Sequence, residues 1–548
     1  MARLHDETRP LLTGSSADGL LSRVASRTSR TPKASDRQSE DAAESQPDRL
    51  RLEDDVLPEE SVLGRNIGWT SAYVLAISRV IGGGIFAVPG VVLKSVGSVG
   101  MALTLWVLGA LVTACALVVS LEYGCMLPRS GGEKVYLEFT YPRPRFLAST
   151  IVATQAILLG FTASNCIIFS QYVHWALDLE PRDVSRKLLA AALMTVITII
   201  HGCFYKTGIR IQNFLGWIKV GLVTFMVLAA LYVVLFKPNQ TKARQIQATE
   251  RWDDLWKDTD WSFGTVATSL FKIFNSYTGL HNLNYVLNEV RDPVRTLKSV
   301  SITALLSACL LYLLTNLAYV AVVPVQQIKD SGQLVAALFF EQTFGENIGR
   351  RFLPLVVALS AAGNVMVVTF ALARLNQEVA RQGFLPFARL LSSSKPFGAP
   401  LGGLIVHYVP SILVIVLPPS NEVYSFILEV EGYPGQFFAF LTSFGILWLR
   451  YKRPDLKRPF RAWIAAVVFR MLLSVVLLAA PFFPPREPQG GIFYATYAIV
   501  ATSIIGFGVI YWLIWTVILP TIGGYHLEEK EDVLDDGTSI TYLSRVPN

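Results

Sequence analysis

Long apolar runs, separated by short polar connections, fill most of the chain from residue 69 onward. A helix needs about 20 apolar residues to cross a bilayer, so we cut the chain at its charged or Pro/Gly-rich breaks. Twelve segments of this size result: 69–95, 99–126, 146–177, 185–203, 211–236, 262–290, 298–324, 350–380, 401–418, 421–449, 463–483 and 492–519. The pattern predicts an all-α polytopic protein with twelve transmembrane helices in a lipid bilayer.

The positive charges of the connections predict the orientation of these helices. Lys and Arg are more frequent in the connections that follow even-numbered segments, which places these connections and both termini in the cytosol. An acceptor triplet for N-glycosylation, Asn239-Gln240-Thr241, falls in the long connection assigned to the outside and agrees with this orientation. We therefore expect a multi-pass protein of the plasma membrane, with cytosolic tails over 1–65 and 521–548.

Composition narrows the class of protein further. Charged residues make up 16% of the chain, against about a quarter in soluble domains. The net charge of +7 comes with basic residues in short loops, without a patch interleaved with aromatic residues, which argues against nucleic-acid binding. The sequence shows no metal-ligand spacing, phosphate loop or nucleophile–base set, so we expect neither an enzyme nor a cofactor. The tails offer Ser, Thr and Lys33 to a kinase or a ubiquitin ligase.

Three consecutive glycines, Gly82-Gly83-Gly84, interrupt the first apolar segment. Close helix packing is one explanation, but packing motifs space their small residues by four. We favour a broken helix, because a break leaves free N–H groups at the start of one half-helix and free carbonyls at the end of the other. The N–H end suits a carboxylate and the carbonyl end suits an ammonium, and an α-amino acid carries both groups.

The sixth segment contains a similar interruption, the polar run from Asn275 to Asn282. Polar residues that join neighbouring helices are the alternative explanation. Transporters built from inverted repeats have broken helices at corresponding positions of the two halves. We therefore predict repeats over about 69–236 and 262–449, followed by two extra helices within 463–519.

Three of the basic residues inside apolar segments stand out, because a charge there is expensive and is expected to be paired or functional. Lys219 lies well within the fifth segment, and the alternative for it is snorkelling to the interface. Arg79 and Lys272 precede the two interruptions. Each is a candidate for specificity or gating, or for structural pairing with Glu122 or Glu429.

Several motifs together resemble one transporter family. The run from Val80 to Gly90 is similar to the first helix of L-type amino acid transporters. The stretches 121–124, 128–133 and 136–144 resemble the fungal high-affinity methionine permease branch of that family, and 284–290 resembles the end of the sixth helix.

The resemblance implies the leucine-transporter-like fold of the amino acid–polyamine–organocation superfamily, with five plus five core helices in inverted repeats. It implies a substrate site made from Val80, Ile81, Gly82, Gly83, Gly84, Ile85, Asn275, Ser276, Tyr277, Thr278 and Gly279. Lys219 would place its ammonium where sodium-coupled relatives bind an ion. Asn165 and Asn364 would contribute contacts from the third and eighth helices, with roles in specificity or gating.

The implied function is sodium-independent, proton-coupled uptake of neutral L-amino acids such as methionine by alternating access. An exchanger, or a sensor or transceptor on the same fold, is the alternative. The connection from His174 to Lys187 lacks the cysteine that animal L-type subunits use to bind a heavy chain, so we expect no disulfide-linked partner. Asn275 stands where several L-type transporters have a phenylalanine gate, which opens the question of side-chain preference.

Overall fold

A computed structural model describes residues 65–180, 182–236, 255–381, 383, 387–395, 397–417, 423–483, 493–534 and 539–547. The acceptor triplet at Asn239, the tail up to residue 64 and the Pro418-Pro419 break lie outside the described residues. Helices account for most of the rest, as the apolar pattern predicts.

The first half of the chain contributes eight helices. They are α1 (Trp69–Val80), α2 (Gly83–Val96), α3 (Val99–Met126), α4 (Glu133–Thr140), α5 (Leu147–Leu158), α6 (Ala163–Ala176), α7 (Asp183–Cys203) and α8 (Tyr205–Phe236). The break between α1 and α2 lies at the predicted glycines. The turn between α2 and α3 closes at Gly97, whose φ of +80° suits glycine.

The second half contributes eleven helices and a hairpin. They are α9 (Phe263–Tyr277), α10 (Pro293–Val322), α11 (Val325–Ser331), α12 (Val335–Gly345), α13 (Leu353–Arg381), α14 (Ala388–Ser392), α15 (Leu401–Val416), α16 (Val423–Lys452), α17 (Ile464–Leu478), α18 (Thr496–Trp512), α19 (Leu519–Gly523), β1 (Tyr525–Val533) and β2 (Ser539–Pro547). Two short 3₁₀ turns, Asn282–Tyr285 and Leu287–Glu289, follow α9.

Nine helical stretches within the described residues are long and apolar enough to cross a membrane. Large apolar side chains are exposed on their outer faces, for example Leu228 of α8 at 58% and Leu306 of α10 at 64%. A lipid environment accepts such faces, because it is as apolar as the side chains themselves. Helices lie in all twelve predicted ranges, but the count of twelve spans stays a prediction.

The third and sixth predicted segments differ from the sequence-based expectation. The segment 146–177 was expected as one helix, but it is interrupted between Leu158 and Ala163. In the sixth segment, Asn275, Ser276 and Tyr277 are still helical, and the interruption begins at Thr278. The chain then reaches Val290 through 3₁₀ turns, because Gly279 adopts a φ of +126° that an α-helix does not allow.

A buried histidine occupies the interruption of the third segment. Nδ1 of His407, in α15, lies 2.6 Å from the carbonyl oxygen of Gly160, and Nε2 lies within 3.4 Å of the hydroxyls of Thr162 and Thr369. The freed backbone carbonyl is therefore satisfied by a side chain from another span.

The C-terminal strands pair as an antiparallel hairpin, with Tyr525 opposite Pro547. Asp532 pairs with Arg389 at 2.9 Å, and Glu529 pairs with Arg145 at 3.1 Å. The region 521–548, expected as a cytosolic tail, thus contains a folded element that contacts the ends of membrane helices.

A short backbone ladder joins the start of the first span to the end of the sixth. The N–H of Ile67 donates to the carbonyl of Glu289 at 2.8 Å, and the N–H of Arg291 donates to the carbonyl of Ile67 at 2.9 Å. The two interrupted spans are therefore connected at the side assigned to the cytosol.

Glu122, near the end of α3, is fully buried among basic groups. Its carboxylate accepts hydrogen bonds from the Arg450 guanidinium and from the Ala462 N–H at 2.7 Å, and Arg458 lies 3.5 Å away. These contacts fix the end of α16 and the following loop to α3. Glu122 is thus a partner of Arg450 and Arg458, and not of Arg79 or Lys272.

Replacement of Glu122 by Gln is expected to destabilise the protein by about 3–5 kcal/mol, because two arginines would lose a buried counter-charge. Thermal unfolding of the detergent-purified protein measures the effect. Glu180→Gln is the matched control, since the Glu180–Arg182 pair is exposed and is worth about 0–1 kcal/mol. Equal melting temperatures for the two variants would contradict the structural role of Glu122.

Candidate functional site

The first break has an internal hydrogen-bond network. The N–H of Gly82 donates to the Val80 carbonyl at 2.8 Å, and the N–H of Gly83 donates to Oδ1 of Asn165 at 3.1 Å. Nδ2 of Asn364 donates to the same Oδ1 at 3.1 Å. Asn165 and Asn364 thus link the break to α6 and α13.

Glycine is required at the first break for reasons of space. A Cβ on Gly82 would lie 1.7 Å from Nδ2 of Asn364, and one on Gly84 would lie 2.8 Å from the Ser276 hydroxyl. The backbone is therefore packed directly against side chains of two other helices. The N–H groups of Gly84 and Ile85 fall in the first turn of α2, where they have no acceptor within the helix.

A tyrosine from α10 joins the two breaks. The Tyr312 hydroxyl lies within hydrogen-bonding distance of the carbonyl oxygens of Val80 and Ser276, with 2.8 Å to the latter. Tyr312 is fully buried, and its ring lies beside those of Trp106 and Tyr277. The carbonyls of Val80 and Ser276, which belong to the predicted substrate site, thus lie next to the same hydroxyl group.

The remaining predicted residues of the sixth span contact each other, the aromatic cluster and Arg79. The N–H of Thr278 donates to the Asn275 carbonyl at 3.1 Å. Tyr277 packs behind the site, and Gly279 lies against the side chain of Arg79, where an added Cβ would come within 2.0 Å of Cγ. The structure therefore brings the first and sixth breaks into one location, although some of their polar groups already have partners within the protein.

Lys219 reaches the first span from α8. Its ammonium donates to the Ser78 carbonyl at 2.6 Å, and the residue is fully buried. The hydrocarbon stem passes Gly363 of α13, where an added Cβ would lie 3.0 Å from Cε. Snorkelling to the interface is therefore excluded in this conformation, and the ammonium lies between the last turn of α1 and α13.

Lys272 and Arg79 occupy different environments. The Lys272 ammonium pairs with Glu429 at 3.2 Å and borders a separate cavity of about 420 Å³ near Lys94 and Asp260. Arg79 lies in the last turn of α1. It borders a different cavity, the main cavity, which is also lined by Asn275, Thr278 and Lys134. Only Arg79 of these two therefore faces the space below the breaks.

The main cavity has a volume of about 330 Å³ and extends from Arg79, Asn275 and Thr278 to Gly131 and Lys134 at the side assigned to the cytosol. That volume falls at the lower end of the range typical of small-molecule sites. Its walls come from the first, second, third, sixth, eighth, tenth and eleventh predicted spans.

The opposite side of the breaks is covered. The Tyr172 hydroxyl lies 2.9 Å from the carbonyl of Phe86 and 3.0 Å from that of Gln333. Gly90 of α2 packs so closely on Gly332 that a Cβ would lie 2.2 Å from its carbonyl oxygen. Access to the site in this conformation is therefore from the side of Gly131 and Lys134.

Sequence reasoning missed three contributors to the site. Tyr312 stands in an apolar helix, where an aromatic residue gives no polar signal. Glu431 of α16 accepts a hydrogen bond from Nδ2 of Asn275 and lines the cavity, and its only signal was a charge inside the tenth segment. The interruption at Gly160 also lines the cavity, and a single glycine with a distant histidine partner does not mark such a break.

Comparison with known proteins gives consistent matches. The family model described as "Amino acid permease" matches residues 67–521. The low-affinity methionine permease of Saccharomyces cerevisiae is 31% identical, with 88% of each chain covered. The high-affinity methionine permease of the same yeast is 32% identical, with 86% of this chain and 83% of that protein covered. The human b(0,+)-type amino acid transporter 1 is 28% identical, with 77% and 84% covered. The resemblance predicted from the motifs is confirmed.

Gly82→Ala is expected to lower the melting temperature, because its methyl group would displace Asn364 from Asn165 at a cost of about 1–3 kcal/mol. The control is Gly221→Ala in α8, where an added Cβ meets nothing within 4 Å. The measurement is thermal unfolding in detergent. A Gly82→Ala protein as stable as the Gly221→Ala protein would contradict the packing described for the break.

Proposed function

The chain belongs to the amino acid permease family, and from that premise we propose that it carries neutral L-amino acids, such as methionine, across the plasma membrane. The supporting observation is the single location formed by the two breaks, where the Tyr312 hydroxyl links the carbonyls of Val80 and Ser276. The relatives named as methionine permeases support methionine as one substrate.

In the proposed site, the amino acid lies between the half-helix ends. Its carboxylate accepts from the first-turn N–H groups of Gly84 and Ile85, where the helix dipole favours negative charge. Its ammonium donates to carbonyls at the ends of α1 and α9, in exchange for the donor that Tyr312 supplies in the absence of substrate. Gly83 contributes by holding Asn165, and Gly82 by allowing Asn364 to approach.

Transport proceeds by alternating access on a leucine-transporter-like arrangement of two inverted repeats, with twelve spans in all. The conformation described above, covered at Tyr172 and Gln333 and accessible from the side of Lys134, corresponds to an inward-facing state. α6 and α13, which contact each other, form part of the scaffold, while the first and sixth spans move together.

Lys219 replaces a coupling sodium ion in this proposal. Its ammonium is bound to the last turn of α1 and packed against α13, so it holds together the two elements that an ion at this place would join. Uptake is therefore sodium-independent, with protons as the coupling ion, or exchange as the alternative. The protein functions without a disulfide-linked heavy chain, since the connection from His174 to Lys187 has no cysteine.

Uptake of labelled amino acid into proteoliposomes is expected to persist when sodium is replaced by choline, and Lys219→Met is expected to lower its rate about 5- to 150-fold, the usual range for lost coupling between sites. Lys206→Met, in the exposed first turn of the same helix, is the matched control. A strict sodium requirement would disprove the assignment of Lys219.

Gly83→Val is expected to abolish transport of every substrate, because the side chain would collide with Asn165 and Ile168. This break is the proposed binding place for the α-amino and α-carboxyl groups that all amino acid substrates share. Uptake of several labelled amino acids by the purified, folded variant tests this expectation. Gly221→Val serves as the control on an open face of α8. Normal transport by Gly83→Val would show that the substrate does not bind at this break.

A further inference from the structure

Two of the charged residues that line the main cavity, Arg79 and Glu431, do not pair with each other; its other charged lining residues are Glu133, Lys134 and Arg470. Among the described residues, no group accepts a hydrogen bond from the Arg79 guanidinium, and no ion pair within 4.0 Å joins it to Glu431. Glu431 is nevertheless the strongest opposite charge that acts on Arg79. Both side chains line the cavity, on walls formed by α1 and α16.

Glu431 is only half satisfied. Its Oε2 accepts from Nδ2 of Asn275, whereas Oε1 is buried without a hydrogen-bond partner. A buried carboxylate oxygen without a donor destabilises the protein until a hydrogen-bond donor reaches it. The structure thus presents a free acceptor on one side of a gap and free guanidinium donors on the other.

The gap lies within one helical turn of both breaks. Arg79 precedes Val80 and packs its stem on Gly279, and Asn275 lies in the last turn of α9. A substrate bound through its backbone groups at the breaks would therefore have its side chain within reach of this gap. Phe274 and Phe161 also line the cavity and enclose it with apolar surface.

We propose that Arg79 and Glu431, with Asn275 holding Glu431 in place, form a side-chain subsite that selects amino acids with a neutral side-chain carboxamide, such as glutamine and asparagine. This proposal rests on the proposed function and narrows its substrate class.

The chemistry of the two groups determines this class. A carboxamide has a carbonyl oxygen that accepts from Arg79 and an NH₂ group that donates to Oε1 of Glu431. A carboxylate side chain would be repelled by Glu431, and a basic one would be repelled by Arg79. A thioether accepts weakly and donates nothing, so methionine leaves both groups unpaired. Sites built to hydrogen-bond a substrate reject analogues that lack those groups more strongly than apolar pockets reject an extra methylene.

The test is the ratio of kcat/KM for labelled glutamine to that for labelled methionine in proteoliposomes. The wild-type protein is expected to favour glutamine. Arg79→Met and Glu431→Leu each remove one of the two hydrogen-bonding partners proposed for the carboxamide, so the ratio is expected to fall at least about tenfold in each. The double variant Arg79→Met/Glu431→Leu removes both charges and is expected to favour methionine while transport continues.

Lys272→Met/Glu429→Leu is the matched control, because it removes a cation from α9 and a carboxylate from α16, the helix of Glu431, and both residues lie outside the main cavity. Its glutamine-to-methionine ratio is expected to equal that of the wild-type protein. A wild-type preference for methionine, or an equal loss of both substrates in the Arg79 and Glu431 variants, would overturn the proposal. Failure of the wild-type protein to carry any amino acid would instead refute the proposed function. The melting temperature of each variant shows whether it is folded.

Discussion

The structure depends on one constraint: backbone groups released by a helix break inside a bilayer must find partners within the protein. Here the partners are side chains from other spans. The N–H of Gly83 is held by Asn165, and the Tyr312 hydroxyl lies on the carbonyls of Val80 and Ser276. His407 serves the carbonyl of Gly160 in the same way. Each break is thus stabilised by side chains of neighbouring spans.

The intramembrane cations show three solutions to one electrostatic problem. Lys272 has a carboxylate at 3.2 Å, Lys219 has a backbone carbonyl at the end of a helix, and Arg79 has a cavity and a more distant counter-charge. The Lys272–Glu429 pair needs no further partner, and Lys219 links α1 to α13. The third is incomplete without an additional group, since a desolvated charge retains its cost until it is paired.

The sequence predicted the features that leave local marks. Three adjacent glycines in an apolar segment located the first break, which lies at Ile81 and Gly82 with Gly83 and Gly84 already helical, and the polar run located the second within three residues. Lys219 was identified because a charge in an apolar run is conspicuous. The pairing of Lys272 remained open between two acids, since spacing along the chain does not decide contacts between spans. Tyr312, Glu431 and the break at Gly160 were missed, because their importance comes from partners more than 30 residues away, 247 in the case of Gly160 and His407.

The backbone ladder between Ile67 and residues 289–291 has a mechanical meaning. Substitution of side chains leaves such a ladder intact, because it consists of peptide groups alone. It joins the ends of the first and sixth spans on the side assigned to the cytosol, so a displacement of one of these ends is transmitted to the other. A force that moves the backbone at Ile67 would therefore act on both interrupted spans at once.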